Sequence, residues 1–339
     1  MTASLAARAD IAVLGAGSWG TALAIQCSRA GRPARLWGRD AAHIEMMARE
    51  RSNQRYLPGA AFPDTLRLYP ALEAVVDGVD DVLLAVPSHA FRSLLQQLQP
   101  VLPQSVRLCW ATKGFEQGSG LLPNQVAHAV LGPGRSVAVL SGPTFAAEVG
   151  AGLPTAMTIA SFEAEYADRL ARDLSSASFR AYTSTDIIGV EVGGAVKNVL
   201  AIGAGLCDGM GFSANTRIAL ITRGLVEMTR LGVALGARRE TFMGLAGLGD
   251  LVLTCTDDHS RNRRFGLSLG QGAPVEAALQ QIGQVVEGYP AALALRRVAA
   301  REGVQMPIAE GIYGVLYEQL PAWQVVRGLM ARPIKPEFD

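Results

Sequence analysis

Ile11-Ala12-Val13-Leu14-Gly15-Ala16-Gly17-Ser18-Trp19-Gly20 is four apolar residues running straight into a glycine turn. The alanine-rich stretch Thr21 to Ala30 then has helical composition, Gly31 closes it, and Ala34 to Trp37 reads as a second strand. Strand, glycine turn, helix and strand in that order make the opening of a dinucleotide-binding unit. The three glycines serve different ends. Gly15 permits the tight turn, Gly17 lets the main chain approach a pyrophosphate, and Gly20 lets helix and strand pack closely. Ser18 and Trp19 belong to the same turn, and the helix start supplies N–H groups to the negative charge, so no lysine is required there.

The second strand ends in Gly38-Arg39-Asp40. An acidic side chain at this point would bond the ribose of NAD, whereas an arginine pairs with the 2′-phosphate of NADP. Arg39 therefore favours NADP, and Asp40 keeps NAD open if it turns inward. Asp81 to Val86, Val106 to Trp110 and Val137 to Ser141 are further buried-type strands, each followed by a polar or turn-forming loop. Continuous apolar strands with helices between them predict an α/β fold with a parallel sheet covered on both faces, and ligands at the carboxyl ends of its strands.

From about residue 186 the pattern changes. Glu191 to Leu206, Ser213 to Leu231, Val275 to Ile282 and Pro290 to Arg301 read as helices with little strand signal between them. Residues 1–188 are expected to form a Rossmann-type dinucleotide domain, and 189–339 a separate all-helical domain, which the family resemblance given below makes the substrate-binding and catalytic one. The tail Arg332 to Asp339, with two prolines, is expected to fray.

A formal charge of +1 gives no electrostatic reason to expect nucleic acid as a partner, so phosphate handling should fall to particular side chains. The four cysteines, Cys27, Cys109, Cys207 and Cys255, show no paired spacing, which suits a reducing compartment. Cys255 and His259 lack the further ligands that a metal site needs, so no metal is expected. The leader Met1 to Asp10 is too short for a secretory signal, and no uninterrupted apolar stretch approaches the roughly 18–20 residues that cross a bilayer. The expectation is a cytoplasmic protein without membrane insertion.

Several separated segments resemble one family, the bacterial-type NAD(P)-dependent glycerol-3-phosphate dehydrogenases. The matching pieces are the glycine turn, Asn53-Gln54-Arg55-Tyr56-Leu57-Pro58-Gly59, Ala85-Val86-Pro87-Ser88, Ala111-Thr112-Lys113-Gly114 and Ser141-Gly142-Pro143-Thr144-Phe145-Ala146. They continue with Gly193-Gly194-Ala195-Val196-Lys197-Asn198-Val199, Gly247-Leu248-Gly249-Asp250-Leu251, Ser260-Arg261-Asn262-Arg263 and Val286-Glu287-Gly288. The resemblance implies reversible reduction of dihydroxyacetone phosphate to sn-glycerol 3-phosphate with NADP or NAD, for phospholipid synthesis. It also implies a Rossmann domain, a helical domain with the active site between them, and a homodimer.

Reducing a ketone builds negative charge on its oxygen, which a lysine can stabilise and protonate. The resemblance gives that role to Lys197, whose apolar neighbours would lower its pKa while a nearby carboxylate would oppose the shift. By the same resemblance Lys113 contacts substrate and cofactor, and Gly142, Thr144, Asp250, Ser260 and Asn262 contact substrate. Arg261 meets the substrate phosphate and the cofactor, while Ala146 and Glu287 meet the cofactor. Several have an ordinary alternative: a packed stem with its amine in solvent for Lys197, a solvated loop lysine for Lys113, a helix cap for Asp250, a surface cluster for Ser260 to Arg263, a helix-end carboxylate for Glu287 and solvent exposure for Arg39. Two other functions share parts of this pattern, a hydroxyacid or 6-phosphogluconate-type dehydrogenase and a nucleotide sensor without chemistry. The joint presence of Lys113, Lys197, Asp250 and Arg261 argues against the sensor.

Overall fold

The computed structural model describes residues 9–334, 336 and 337, so most of the leader and part of the tail lie outside the described residues. The strands are β1 (Ile11–Leu14), β2 (Ala34–Trp37), β3 (Ser52–Asn53), β4 (Leu57–Ala61), β5 (Leu66–Tyr69), β6 (Asp81–Leu84), β7 (Arg107–Trp110), β8 (Val137–Ser141), β9 (Thr155–Ser161) and β10 (Phe179–Ser184). Eight of them form one sheet in the order β10-β9-β8-β7-β6-β1-β2-β5, while β3 and β4 make a separate antiparallel pair.

β1 lies centrally because all four of its side chains are buried, with apolar layers on both faces of the sheet. The chain runs from β1 outward to β2 and β5, then crosses back to β6, β7 and β8 on the other side. That reversal opens a crevice at the carboxyl end of β1, and the glycine turn occupies it: Gly15 N–H donates to Trp37 O at 2.8 Å, and Ala85 N–H donates to Leu14 O at 2.8 Å.

One part of the sheet departs from the expected parallel arrangement. β8 and β9 pair antiparallel, and β9 then pairs parallel with β10. A short helix, Ala146–Ala151, joins β8 to β9. β5, β9 and β10 were not expected as strands because they are short or carry polar and small residues rather than continuous apolar runs, as suits strands near a sheet edge.

Beyond Ser184 the described residues are helical. Of the expected helices, Val275–Ile282 appears with the expected ends, and the others appear with shifted ends as Ile187–Gly209, Ala214–Ala234 and Gly288–Arg301. Asp250–Thr256, Arg261–Gly270, Pro307–Tyr317 and Ala322–Met330 were not anticipated. Ile187–Gly209 is the axis of this half: Asp186 caps it by accepting from Gly189 N–H at 3.0 Å, and nearly every side chain along it is buried. It is long and apolar enough to cross a membrane, yet 94% of its apolar window is covered by the protein's own core.

Candidate active site

The helix after β1 is Ser18–Arg29, beginning three residues earlier than expected, with Gly17 as its N-cap. A side chain at Gly15, whose φ is +122°, would press within 2.5 Å of Ala85 O, and one at Gly20 would come within 1.8 Å of Gly15 O. Both glycines are demanded by the protein's own packing. Gly17 is different: a Cβ there would meet nothing within 4 Å, so what its absence leaves is open main chain at a helix start, the shape a pyrophosphate needs. Fully buried Asn53 braces the turn by donating to Ala16 O at 3.1 Å and Thr21 Oγ1 at 2.8 Å. The Ser18 hydroxyl donates to Tyr56 O, and the Trp19 indole N–H is buried without a partner among the described residues.

Arg39 is exposed, whereas Asp40 caps the helix Ala41–Glu50 by accepting from His43 N–H at 3.1 Å. The Asp40 carboxylate is thus engaged in a structural bond beside the ribose position, and the Arg39 guanidinium is unpaired among the described residues.

Across the cleft the long helix brings Lys197 against Asp250. Gly193 and Gly194 lie one turn before Lys197 on the same helix face, where a Cβ would strike Ala246 O at 2.4 Å and the Lys113 stem at 3.3 Å respectively. Their absent side chains let three segments close on one point. Asp250 follows a wide π-type turn, Leu245–Gly249, and begins the helix Asp250–Thr256; its carboxylate does not cap that helix. It accepts instead from both lysines, from Lys113 Nζ at 2.7 Å and from Lys197 Nζ, and Lys197 also donates to Thr254 Oγ1 at 3.1 Å.

Burial pushes the Lys197 ammonium down to about 8; the charge of Asp250 opposes this and that of Lys113 reinforces it. For Asp250, burial alone would raise the carboxyl, but the two lysines outweigh it and hold it below the ordinary aspartate value.

The helix Arg261–Gly270 meets this centre end-on. Its Ser260 hydroxyl serves as the cap, accepting from Arg263 N–H at 3.2 Å. Asn262 donates to Asn198 Oδ1 at 3.0 Å and accepts from Gly288 N–H at 2.8 Å, while Asn198 donates to Glu287 Oε2 at 3.2 Å. The Asn262 side chain thus links three helices. Arg263 is locked by Asp208 and Asp258. Half-buried Arg261 has a guanidinium with no partner among the described residues, so the two arginines are sorted by what they already hold.

The family models for the NAD-dependent glycerol-3-phosphate dehydrogenase N-terminus and C-terminus match residues 10–167 and 186–327. The chain belongs to the NAD-dependent glycerol-3-phosphate dehydrogenase family. A glycerol-3-phosphate dehydrogenase [NAD(P)+] of Methylococcus capsulatus is 55% identical over 330 residues, covering 97% of this chain and 98% of that one. The Vibrio cholerae protein of the same name is 54% identical, covering 97% of this chain and 96% of that one. A crystal structure of glycerol-3-phosphate dehydrogenase from Coxiella burnetii is 44% identical, with a TM-score of 0.92 over 96% of this chain and 100% of that chain.

In this member of the glycerol-3-phosphate dehydrogenase family, the remaining expected site residues sit on the sheet side of the cleft. Gly142 follows β8, where a Cβ would come within 2.9 Å of Met157 Cα, so contact with β9 already requires a glycine. Thr144 donates to Gly142 O at 3.4 Å, and half-buried Ala146 opens the short helix packed on Ser18–Arg29. Three residues at the centre were not singled out from sequence: Thr254, Asn198 and Glu191. Thr254 lies one turn after Asp250, a spacing that could have suggested it. Glu191 is a carboxylate inside an apolar helical run, where an unpaired charge is costly and a partner is to be sought.

Proposed function

We propose that this protein catalyses the reversible NAD(P)H-dependent reduction of dihydroxyacetone phosphate to sn-glycerol 3-phosphate, supplying the backbone of glycerophospholipids. The observation that carries the reading is Asp250 held between Lys113 and Lys197, with the unpaired Arg261 beside the Asn262–Asn198 link. A bound nicotinamide would supply the hydride for the carbonyl carbon. Lys197 gives its proton to the carbonyl oxygen and is reprotonated from solvent; oxidation runs the same proton backward. Lys113 orients the ketone, and Asp250 keeps both ammonium groups converging on it.

Arg261 forks onto the substrate phosphate, aided by the main-chain N–H groups at the start of its helix. Gly142 and Thr144 line the substrate from the sheet side, and Ser260 and Asn262 hold the phosphate-binding turn in shape. Gly15, Gly17, Ser18, Trp19 and Gly20 receive the pyrophosphate, while Ala146, Glu287, Lys113 and Arg261 border the cofactor. Because Arg39 is unpaired and Asp40 caps the following helix, the site accepts NADP as well as NAD. The reading extends to the division of labour between residues 1–188 and 189–339, to a homodimer and to action in the cytoplasm.

The deciding experiment is steady-state reduction of dihydroxyacetone phosphate with NADH and NADPH in parallel, beside unphosphorylated dihydroxyacetone. Turnover of the phosphate ester with both cofactors, and little of the free triose, is expected. Preference for small ketoacids or sugar-acid phosphates would replace the substrate assignment, and cofactor binding without turnover would favour a sensor.

A further inference from the structure

Glu191 lies in the long helix and is only 3% exposed, yet no cation pairs with it among the described residues. Its Oε1 accepts from Trp110 Nε1 at 2.9 Å and from Asn124 N–H at 2.9 Å, and its Oε2 bonds the Asn124 side-chain amide. The locations of those partners matter. Fully buried Trp110 is the last residue of β7, three residues before Lys113. Asn124 lies in the first turn of the helix Pro123–Leu131, which follows the Lys113 loop. Glu191 itself precedes Lys197 by six residues of continuous helix, about 9 Å along the axis at 1.5 Å per residue. One side chain thus holds both ends of the segment that carries Lys113 and anchors them to the helix that carries Lys197.

We propose that Glu191 is a positioning residue, a buried bridge that sets the spacing of Lys113 and Lys197 around Asp250 without touching substrate. The Lys113 segment has other ties to its surroundings, such as the bond from Thr112 Oγ1 to Val86 O at 2.7 Å, but that bond stays within the sheet half. The Glu191 bonds cross from strand to long helix and, beside the packing of Phe115 and Leu122 into the helical core, add a directional tie to the grip of Asp250. A salt bridge between flexible lysines and one carboxylate tolerates drift; a hydride-transfer geometry does not, because a displacement of 1 Å can cost about 100-fold in rate.

Burial pushes the Glu191 carboxyl up to about 8. The bridge survives in the protonated form: one oxygen still accepts from Trp110 and the Asn124 main chain, and the hydroxyl donates to the Asn124 amide oxygen once that amide turns over. Hence Glu191→Gln should preserve the bridge, and Glu191→Leu should abolish it.

The inference rests on the proposed reductase activity, and the parent protein in the same assay keeps the two separable. Dihydroxyacetone phosphate reduction would be measured for parent, Glu191→Leu, Glu191→Gln and Trp110→Phe, with rates normalised to folded protein by circular dichroism. Glu191→Leu is expected to lower kcat roughly 10- to 100-fold with KM changed far less. Trp110→Phe, which removes only the indole N–H from the bridge, is expected to give a smaller loss in the same direction, and Glu191→Gln to stay near the parent. Equal kcat per folded molecule for Glu191→Leu and the parent would overturn the proposal. A Glu191→Gln loss as large as that of Glu191→Leu would also overturn it, since charge rather than bridging would then matter. A parent that reduces no ketone would overturn both this and the function it rests on.

Discussion

Lys197 owes its proton chemistry to an unequal contest between desolvation and charge. Burial favours the neutral amine and brings the pKa to about 8, Lys113 pushes the same way, and Asp250 alone resists. Ketone reduction needs the protonated form, so kcat/KM in that direction should hold level below about pH 8 and fall tenfold per pH unit above it. The reverse oxidation should rise through the same point. Asp250→Asn removes the group that raises the value, so the limb should move to lower pH. Initial-rate pH profiles of the two proteins check this, and a limb that stays in place would separate Lys197 from the observed titration.

At the level of elements, the crossing of Ile187–Gly209 with Arg261–Gly270 decides where the phosphate-binding arginine stands relative to the acid. The helices approach so closely that a Cβ on Gly205 would lie 2.0 Å from Arg263 O, and one on Gly266 would lie 2.0 Å from Ile202 O. Backbone, not a movable side chain, occupies the space in both cases. Gly266→Ala should therefore cost about 1–3 kcal/mol of stability by overpacking. It should also raise KM for dihydroxyacetone phosphate, because separating the helices draws Arg261 away from Lys197. Urea unfolding and steady-state kinetics read the two effects, and unchanged values for both would show that the crossing yields at no cost. The Asn198–Asn262–Gly288 bonds run across the same crossing, so the Asn262 amide helps hold the joint.

Over the whole molecule, chemistry and stability occupy opposite ends of the sheet's strands. At the amino end of β6, away from the glycine turn, fully buried Asp81 receives Arg107 at 2.9 Å, Arg169 at 2.8 Å and the buried Arg32. Burial alone would raise the Asp81 carboxyl, but hydrogen bonding from Arg107 and the charge of Arg32 outweigh it and hold it below its ordinary value of 3.8. A depressed carboxyl contributes stability above pH 3.8 that is lost as pH falls through the folded value. Asp81→Asn leaves Arg32 buried without its main counter-charge and should cost about 3–5 kcal/mol at neutral pH. It should also flatten the acid limb of stability, with turnover per folded molecule unchanged. Urea midpoints from pH 3 to 7, measured with kinetics at pH 7, test both halves, and a loss of turnover without loss of stability would contradict the separation.

Local pattern was enough for β1, the glycine turn, β2 and the change to helices near residue 186, because apolar runs, glycine and helical spacing are short-range signals. Motif resemblance then named Lys113, Lys197, Asp250 and Arg261 as candidates; the first three meet in ion pairs, and Arg261 opens the helix whose Asn262 bonds Asn198. Other features depended on partners distant in sequence. The antiparallel pairing of β9 with β8 and the placing of β10 at the edge depend on neighbours met across the sheet, and their own residues carry weak strand signals. That Asp250 grips two lysines rather than capping a helix, that Arg261 is free while Arg263 is not, and that Glu191 ties Trp110 to the long helix were settled only when segments far apart in the chain met. A sequence states which groups a residue can offer; which of them are already engaged, and which remain for substrate, is decided by the neighbours that folding brings within hydrogen-bonding reach.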